Sequence, residues 1–268
     1  MSVGHYENFP VASLLLPSRL REPVEAIYRF ARSADDFADE GDDASAVRLE
    51  KLAAYRAHLV TIAAGDAPQE PLFRDLAAIV RRHSLPLGLF QDLLDAFAQD
   101  VTKKRYASFD EVLDYCRRSA NPVGRLLLHL FGHTTEPALR CSDAICTSLQ
   151  LVNFWQDVEL DYANDNRVYL PQDDMARFGV SELHLIERTC DAAWRALMDF
   201  EIARTRALML SGAELGRDLP GRIGLEIRAT VQGGLRILEK IEAVGYDVFR
   251  RRPTLKLLDW PLLLARAA

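Results

Sequence analysis

Several protein classes are excluded by what this sequence lacks. Lys and Arg number 33 against 39 Asp and Glu, a formal net charge of −6 in 268 residues. A chain of that balance has no basic footprint for nucleic acid. Four cysteines (Cys116, Cys141, Cys146, Cys190) form no C-x-x-C pair. They read as reduced thiols used mainly for packing, not as a zinc cluster or a disulfide framework. No stretch approaches the roughly 18 uninterrupted apolar residues that span a membrane. Residues 1–8 lack the charged and apolar regions of a signal peptide. The expectation is a soluble, cytoplasmic protein, with room for peripheral contact at the inner membrane. No Gly/Ser linker or low-complexity tract divides the chain, and no G-x-G-x-x-G follows a strand, so a nicotinamide domain is not indicated. β-branched residues nowhere alternate with polar ones long enough to predict a strand.

What is present is helical periodicity. In residues 23–37 the apolar positions Val24, Ile27, Tyr28, Ala31 and Ala34 fall on a 3.6-residue stripe, with Pro23 suited to a first turn. The same pattern predicts helices over 47–64, 73–82, 86–100, 109–119, 123–131, 137–162, about 181–187, 190–210 and 219–244. Residues 260–264 read as a final helical turn packed on the core, with a membrane-touching or partner-binding tail as the lesser reading. The sum is one all-α domain over residues 1–268, of roughly ten or more helices.

Two acidic ladders stand out from that background. Asp35-Asp36-Phe37-Ala38-Asp39 places Asp35 and Asp39 one above the other on a helix. About 120 residues later, Asn153-Phe154-Trp155-Gln156-Asp157-Val158-Glu159-Leu160-Asp161 stacks Asn153, Asp157 and Asp161. The spacing alone is weak, because Asp110 and Asp114 share it and carry no assigned chemistry. The second ladder is set apart by apolar bulk on its other faces, from Leu149, Leu151, Val152, Phe154, Trp155, Val158 and Leu160. A helix apolar nearly all round belongs in an interior, where carboxylates are costly unless paired or metal-bound. Two such columns across a cavity could hold several Mg²⁺ ions and leave coordination positions for phosphate oxygens. That suits a diphosphate ester losing its leaving group.

These residues resemble a known family. The ladders, with Leu149-Gln150-Leu151-Val152-Asn153 ahead of the second and Arg167-Val168-Tyr169-Leu170-Pro171 behind it, look like those of the squalene and phytoene synthases. These are the head-to-head prenyl diphosphate synthases. The likeness starts at Asn8-Phe9 and Leu15-Leu16-Pro17, continues through Tyr28-Arg29-Phe30-Ala31-Arg32, and ends at Gly245-Tyr246-Asp247-Val248-Phe249. It implies an isoprenoid synthase-type helical bundle enclosing a central cavity. It also implies Asp35, Asp39, Asn153, Asp157 and Asp161 as ligands of two or three Mg²⁺ ions, the four aspartates being catalytic. Tyr28, Arg32, Gln150, Asn153 and Tyr246 would bind the diphosphate.

Two departures from the family pattern, His5-Tyr6-Glu7-Asn8-Phe9-Pro10 and Ser119-Ala120-Asn121-Pro122-Val123-Gly124, point to a bacterial branch in hopanoid pathways. Gln156, where an arginine is common, is a third, and by the resemblance each departure changes a group near the diphosphate. His5, Tyr6 and Asn8 join the substrate-binding candidates on this ground. The branch turns presqualene diphosphate and water into hydroxysqualene and diphosphate without NADPH. It would partner functionally with an enzyme that makes presqualene diphosphate and with a hydroxysqualene reductase. Two other readings stand beside it: condensation of two prenyl diphosphates to presqualene diphosphate or phytoene, and a catalytically silent relative used for binding or assembly.

Overall fold

The structure is a computed structural model; it describes residues 17–39, 41 and 43–268, with Asp39 described by its backbone alone. The described residues form the helices α1 (Ser18–Asp39), α2 (Ser45–Ala63), α3 (Pro71–His83), α4 (Leu87–Thr102), α5 (Phe109–Ser119), α6 (Asn121–Phe131) and α7 (Glu136–Gln156). They continue as α8 (Val158–Asp165), α9 (Gln172–Arg177), α10 (Glu182–Ile186), α11 (Ala192–Gly212), α12 (Leu215–Asp218) and α13 (Gly221–Ala243). A 3₁₀ turn (Leu257–Asp259) leads into α14 (Trp260–Ala267). Among the described residues the only extended pairing is an isolated parallel bridge between Arg105 and Val168. The fold is all-α, as the periodicity predicts.

Local chemistry sets many of the boundaries. Ser108, Thr135 and Asp191 cap α5, α7 and α11, each accepting from the backbone N–H three residues on. Pro71, Pro122 and Pro137 sit in first turns, where a missing N–H costs nothing. Gly132, at φ 70°, ends α6 in the left-handed conformation open to glycine.

Two helices differ from expectation. α1 starts at Ser18, so Pro23 lies inside the helix and not at its start. The apolar stripe runs back to Leu20, which is buried, and that burial outweighs the lost hydrogen bond. The long helix predicted over 137–162 is broken at Asp157, whose φ of −107° and ψ of 12° leave the α region.

Apolar side chains gather in two clusters. One joins α1–α4 and α6 around Phe30, Tyr55, Phe73 and Phe90. Phe30 and Phe90 meet edge-on at 5.3 Å between ring centroids, as do Tyr55 and Phe73 at 4.7 Å. The other is built on α7, α11 and α13 around Trp155, Trp194, Leu197 and Ile237. The Trp155 indole N–H donates to Thr205 Oγ1 at 2.8 Å, which satisfies its one polar atom in the interior. Phe131 and Ile223 pack against both clusters.

Candidate active site

A cavity of about 290 Å³ lies between α1, α6, α7, α12 and α13, near the lower end of the range for ligand pockets. Its wall is mostly apolar, with Ile27, Leu127, Phe131, Ile145, Leu149 and Ile227. Polar atoms come from a few side chains, among them Tyr28, Ser142, Glu226 and Thr230. α6 comes close to α7 because Gly124 has no side chain; a Cβ there would collide with Ser142 Oγ and Cys146 Sγ. Asn121, at the start of α6, accepts from the Thr147 hydroxyl at 2.9 Å in the interior. The altered segment 119–124 thus borders the cavity through Val123 and Gly124, while its asparagine pins α6 to α7.

Both acidic motifs continue helix faces that line this cavity. On α1, Tyr28 and Ala31 are wall residues, and Arg32 and Asp35 follow within two turns on the same face. Arg32 is split between two carboxylates, at 2.9 Å from Asp35 and 2.7 Å from Asp36. All three side chains are part-buried, so a planar cation is already held over the first motif. The Asp39 side chain lies outside the described residues, as do His5, Tyr6 and Asn8.

On α7, Ile145, Cys146 and Leu149 are wall residues, and half-buried Gln150 and Asn153 come next. The helix break does not undo the ladder. The Asp157 N–H reaches the Asn153 carbonyl at 2.9 Å, and the Asp161 N–H reaches the Asp157 carbonyl at 2.9 Å. The four-residue repeat therefore runs through the joint. The break falls where two side chains turn to the C-terminal segment. Gln156 is buried and its amide donates to the Pro253 carbonyl. Asp157 takes a two-pronged contact from Arg252, with Nη2 at 2.9 Å from Oδ2 and Nε on Oδ1. Gln156, read from sequence as a group beside the diphosphate, here tethers a distant loop.

Behind the second motif lies a buried polar layer. Arg167 is 5% exposed. Its guanidinium donates to the Asp100 carbonyl at 3.1 Å and the Tyr169 hydroxyl at 3.3 Å. The Tyr115 hydroxyl donates to the Asp100 carboxylate at 2.6 Å. Burial first, and then the Asp100 charge, push the phenols of Tyr106, Tyr115 and Tyr169 above their ordinary range, which keeps them protonated. The Val168 N–H bonds the Lys104 carbonyl, and Arg105 grips Glu182 and Asn166, so the loop after α8 is clamped to the loop after α4.

Tyr246 stands apart from this assembly. Its hydroxyl donates to Asp199 on α11 at 2.7 Å, and its carbonyl accepts from Trp194. Burial and the Asp199 acceptor raise its phenol to about 12. The structure engages it with α11 and not with either motif. Arg252, Asp100 and Tyr115 are the neighbours that sequence reasoning missed. The only visible signal for Arg252 is the basic run Arg250-Arg251-Arg252 downstream.

A model of the family described as squalene/phytoene synthase matches residues 3–259. The chain belongs to that family. It is 37% identical over 239 residues to the hydroxysqualene synthase of Rhodopseudomonas palustris, covering 88% of this chain and 80% of that one. It is 35% identical over 230 residues to the hydroxysqualene synthase of Zymomonas mobilis, covering 84% and 75%. The crystal structure of the squalene synthase HpnC from Alicyclobacillus acidocaldarius superposes with a TM-score of 0.84 at 36% identity, over 90% of each chain. This member of the family is thus an enzyme of isoprenoid biosynthesis with the all-α fold of its relatives.

The donor chemistry of the two motifs fits Mg²⁺, a hard ion that takes carboxylate and amide oxygens. Among the described residues no three Asp, Glu, His or Cys side chains converge to enclose an ion by themselves. Mg²⁺ usually keeps waters and takes one or two carboxylates plus substrate phosphate oxygens. The motifs suit an ion shared with a phosphate in that way.

Proposed function

We propose that the chain is a single-domain hydroxysqualene synthase, a Mg²⁺-dependent carbon–oxygen lyase of hopanoid and squalene biosynthesis in the cytoplasm. It converts presqualene diphosphate and water to hydroxysqualene and diphosphate. The observation that carries this reading is similarity over most of the chain to proteins named hydroxysqualene synthase. The apolar cavity next to oxygen-rich motifs agrees with it. An enzyme that makes presqualene diphosphate and a hydroxysqualene reductase are its expected functional partners.

Asp35, Asp39, Asn153, Asp157 and Asp161 would hold the metal, which supplies positive charge to the departing diphosphate. Arg32, with Tyr28 a turn before it, adds a fixed cation and a hydroxyl for phosphate oxygens. Fixed donors of this kind stabilise charge where it develops, and this lowers the barrier to breaking the carbon–oxygen bond. The hydrocarbon cation left behind is sheltered by the apolar wall, with Ile27, Phe131, Leu149 and Ile227 excluding bulk water. The cation rearranges with opening of the cyclopropane ring, and one water then adds to it, forms the new carbon–oxygen bond and gives up its proton to the released diphosphate. Glu226 and Thr230 are among the polar wall groups able to orient that water.

Purified protein supplied with Mg²⁺ and either presqualene diphosphate or farnesyl diphosphate, without NADPH, tests the reading by the lipid formed. An alcohol from presqualene diphosphate alone supports it. Conversion of farnesyl diphosphate to a cyclopropyl diphosphate would overturn it in favour of a condensing enzyme. No diphosphate release from any prenyl substrate would mark a silent relative.

A further inference from the structure

The C-terminal segment presents a surface that the proposed reaction does not use. Leu257 and Leu258 are 86% and 90% exposed, more than any other large apolar side chain among the described residues. Trp260, Leu262 and Leu264 extend the same apolar stretch at the surface, while Leu263 and Ala267 turn inward to the body.

This is a braced element and not a loose tail. Asp259, 5% exposed, accepts from Arg236 at 2.9 Å, from the Lys256 N–H at 2.7 Å, and from Lys240. Lys240 also donates to the Thr254 carbonyl at 2.7 Å, and Arg228 donates to the Ala267 carbonyl. The chain therefore holds two leucines in water by design of the surrounding contacts. No helix of the described residues is long and apolar enough to cross a membrane.

Charge around the tip is opposite in sign to the whole. Residues 250–268 carry five basic side chains and one acidic one, in a chain of net charge −6. The one acidic residue, Asp259, is buried among its partners, whereas Arg250, Arg251, Lys256 and Arg266 are exposed. Arg250 has Asp247 as a neighbour and Arg266 has Glu239.

We propose that this face, led by Leu257, Leu258 and Trp260 and ringed by Arg251 and Lys256, docks the protein on the surface of an anionic lipid bilayer. Exposed leucines enter the boundary between headgroups and acyl chains, tryptophan sits at headgroup level, and basic side chains meet the anionic heads. Near-complete exposure of two adjacent leucines marks a protruding tip. Five apolar side chains fall short of the roughly 800 Å² that each partner contributes to a stable protein interface. The docking surface does not depend on the reaction proposed above. It does lie within a few residues of Arg252 and Pro253, which touch Asp157 and Gln156.

Flotation of the full chain with phosphatidylcholine vesicles, with and without phosphatidylglycerol, tests this directly. Binding is expected on the anionic vesicles and should weaken with salt. Trp155 and Trp194 are fully buried, so quenching by a brominated lipid reports on Trp260. The double variant Leu257→Asp/Leu258→Asp should lower the partition by about tenfold or more, and Arg251→Glu/Lys256→Glu by several-fold on anionic vesicles only. All four positions are exposed, so an unchanged melting temperature would show that the loss is not unfolding. Absence of vesicle binding, or equal binding by the leucine variant, overturns the proposal. Self-association without lipid binding, abolished by the leucine variant, would overturn it too and assign the face to a second copy of the chain.

Discussion

The two acidic motifs are neutralised in different ways. In the first, Arg32 stands three and four residues from the carboxylates it pairs with, on the same helix. In the second, Arg252 reaches Asp157 from 95 residues further along the chain. Both sites hold carboxylates beside a guanidinium in a part-buried setting, yet only one contact follows from helical spacing. The first forms whenever α1 forms. The second forms only when the C-terminal segment has returned to the joint between α7 and α8, so its geometry depends on the completed fold. A third pair makes the contrast plainer. Asp110 and Asp114 have the same spacing, but Asp110 is exposed and Asp114 lies on an exposed face of α5 between Arg117 and Arg118.

The largest expected effect comes from Asp157→Asn, which should lower the rate of diphosphate release by on the order of 10² or more. Near-normal turnover in that variant would mean that the second motif is not the reacting site. Gln156→Ala removes the donor to the Pro253 carbonyl and should cost about 1–3 kcal/mol in urea unfolding, since a buried acceptor is left without it. Arg252→Ala should cost about 1 kcal/mol, and Arg32→Ala no more than about 0.5 kcal/mol, because an (i, i+3) pair adds little to a helix that tertiary packing already holds. Equal losses in those two variants would erase the distinction between a local and a long-range brace. Asp110→Asn should stay within about 0.5 kcal/mol of the parent and leave product formation unchanged.

Much of the architecture was legible in the residues. α5 occupies the predicted 109–119, and most other helices differ by a few residues at their ends. Apolar periodicity reports the face each helix buries, and that face is fixed by side-chain spacing alone. Less visible were the short helices α9 and α12, which span too few residues to show a period. The joint at Asp157 left no signal either, having neither proline nor glycine to mark it. Among site residues, Arg32 over Asp35 follows from spacing. The burial of Arg167 against Asp100, and the pairing of Tyr246 with Asp199, join residues far apart in the chain and could not be read that way.

By itself, the sequence determined the helical class, the two oxygen-rich ladders and the arginine that shares the first one. Those features are encoded within a few turns, where i, i+3 and i+4 neighbours are set by the helix itself. Only the tertiary structure decided that Asn121 and Gln156 act as interior pins, that Arg252 clasps Asp157, and that Leu257 and Leu258 are held out at the surface. The physical reason is that a side chain's partner across the fold depends on how helices pack, and one-dimensional spacing carries no record of that.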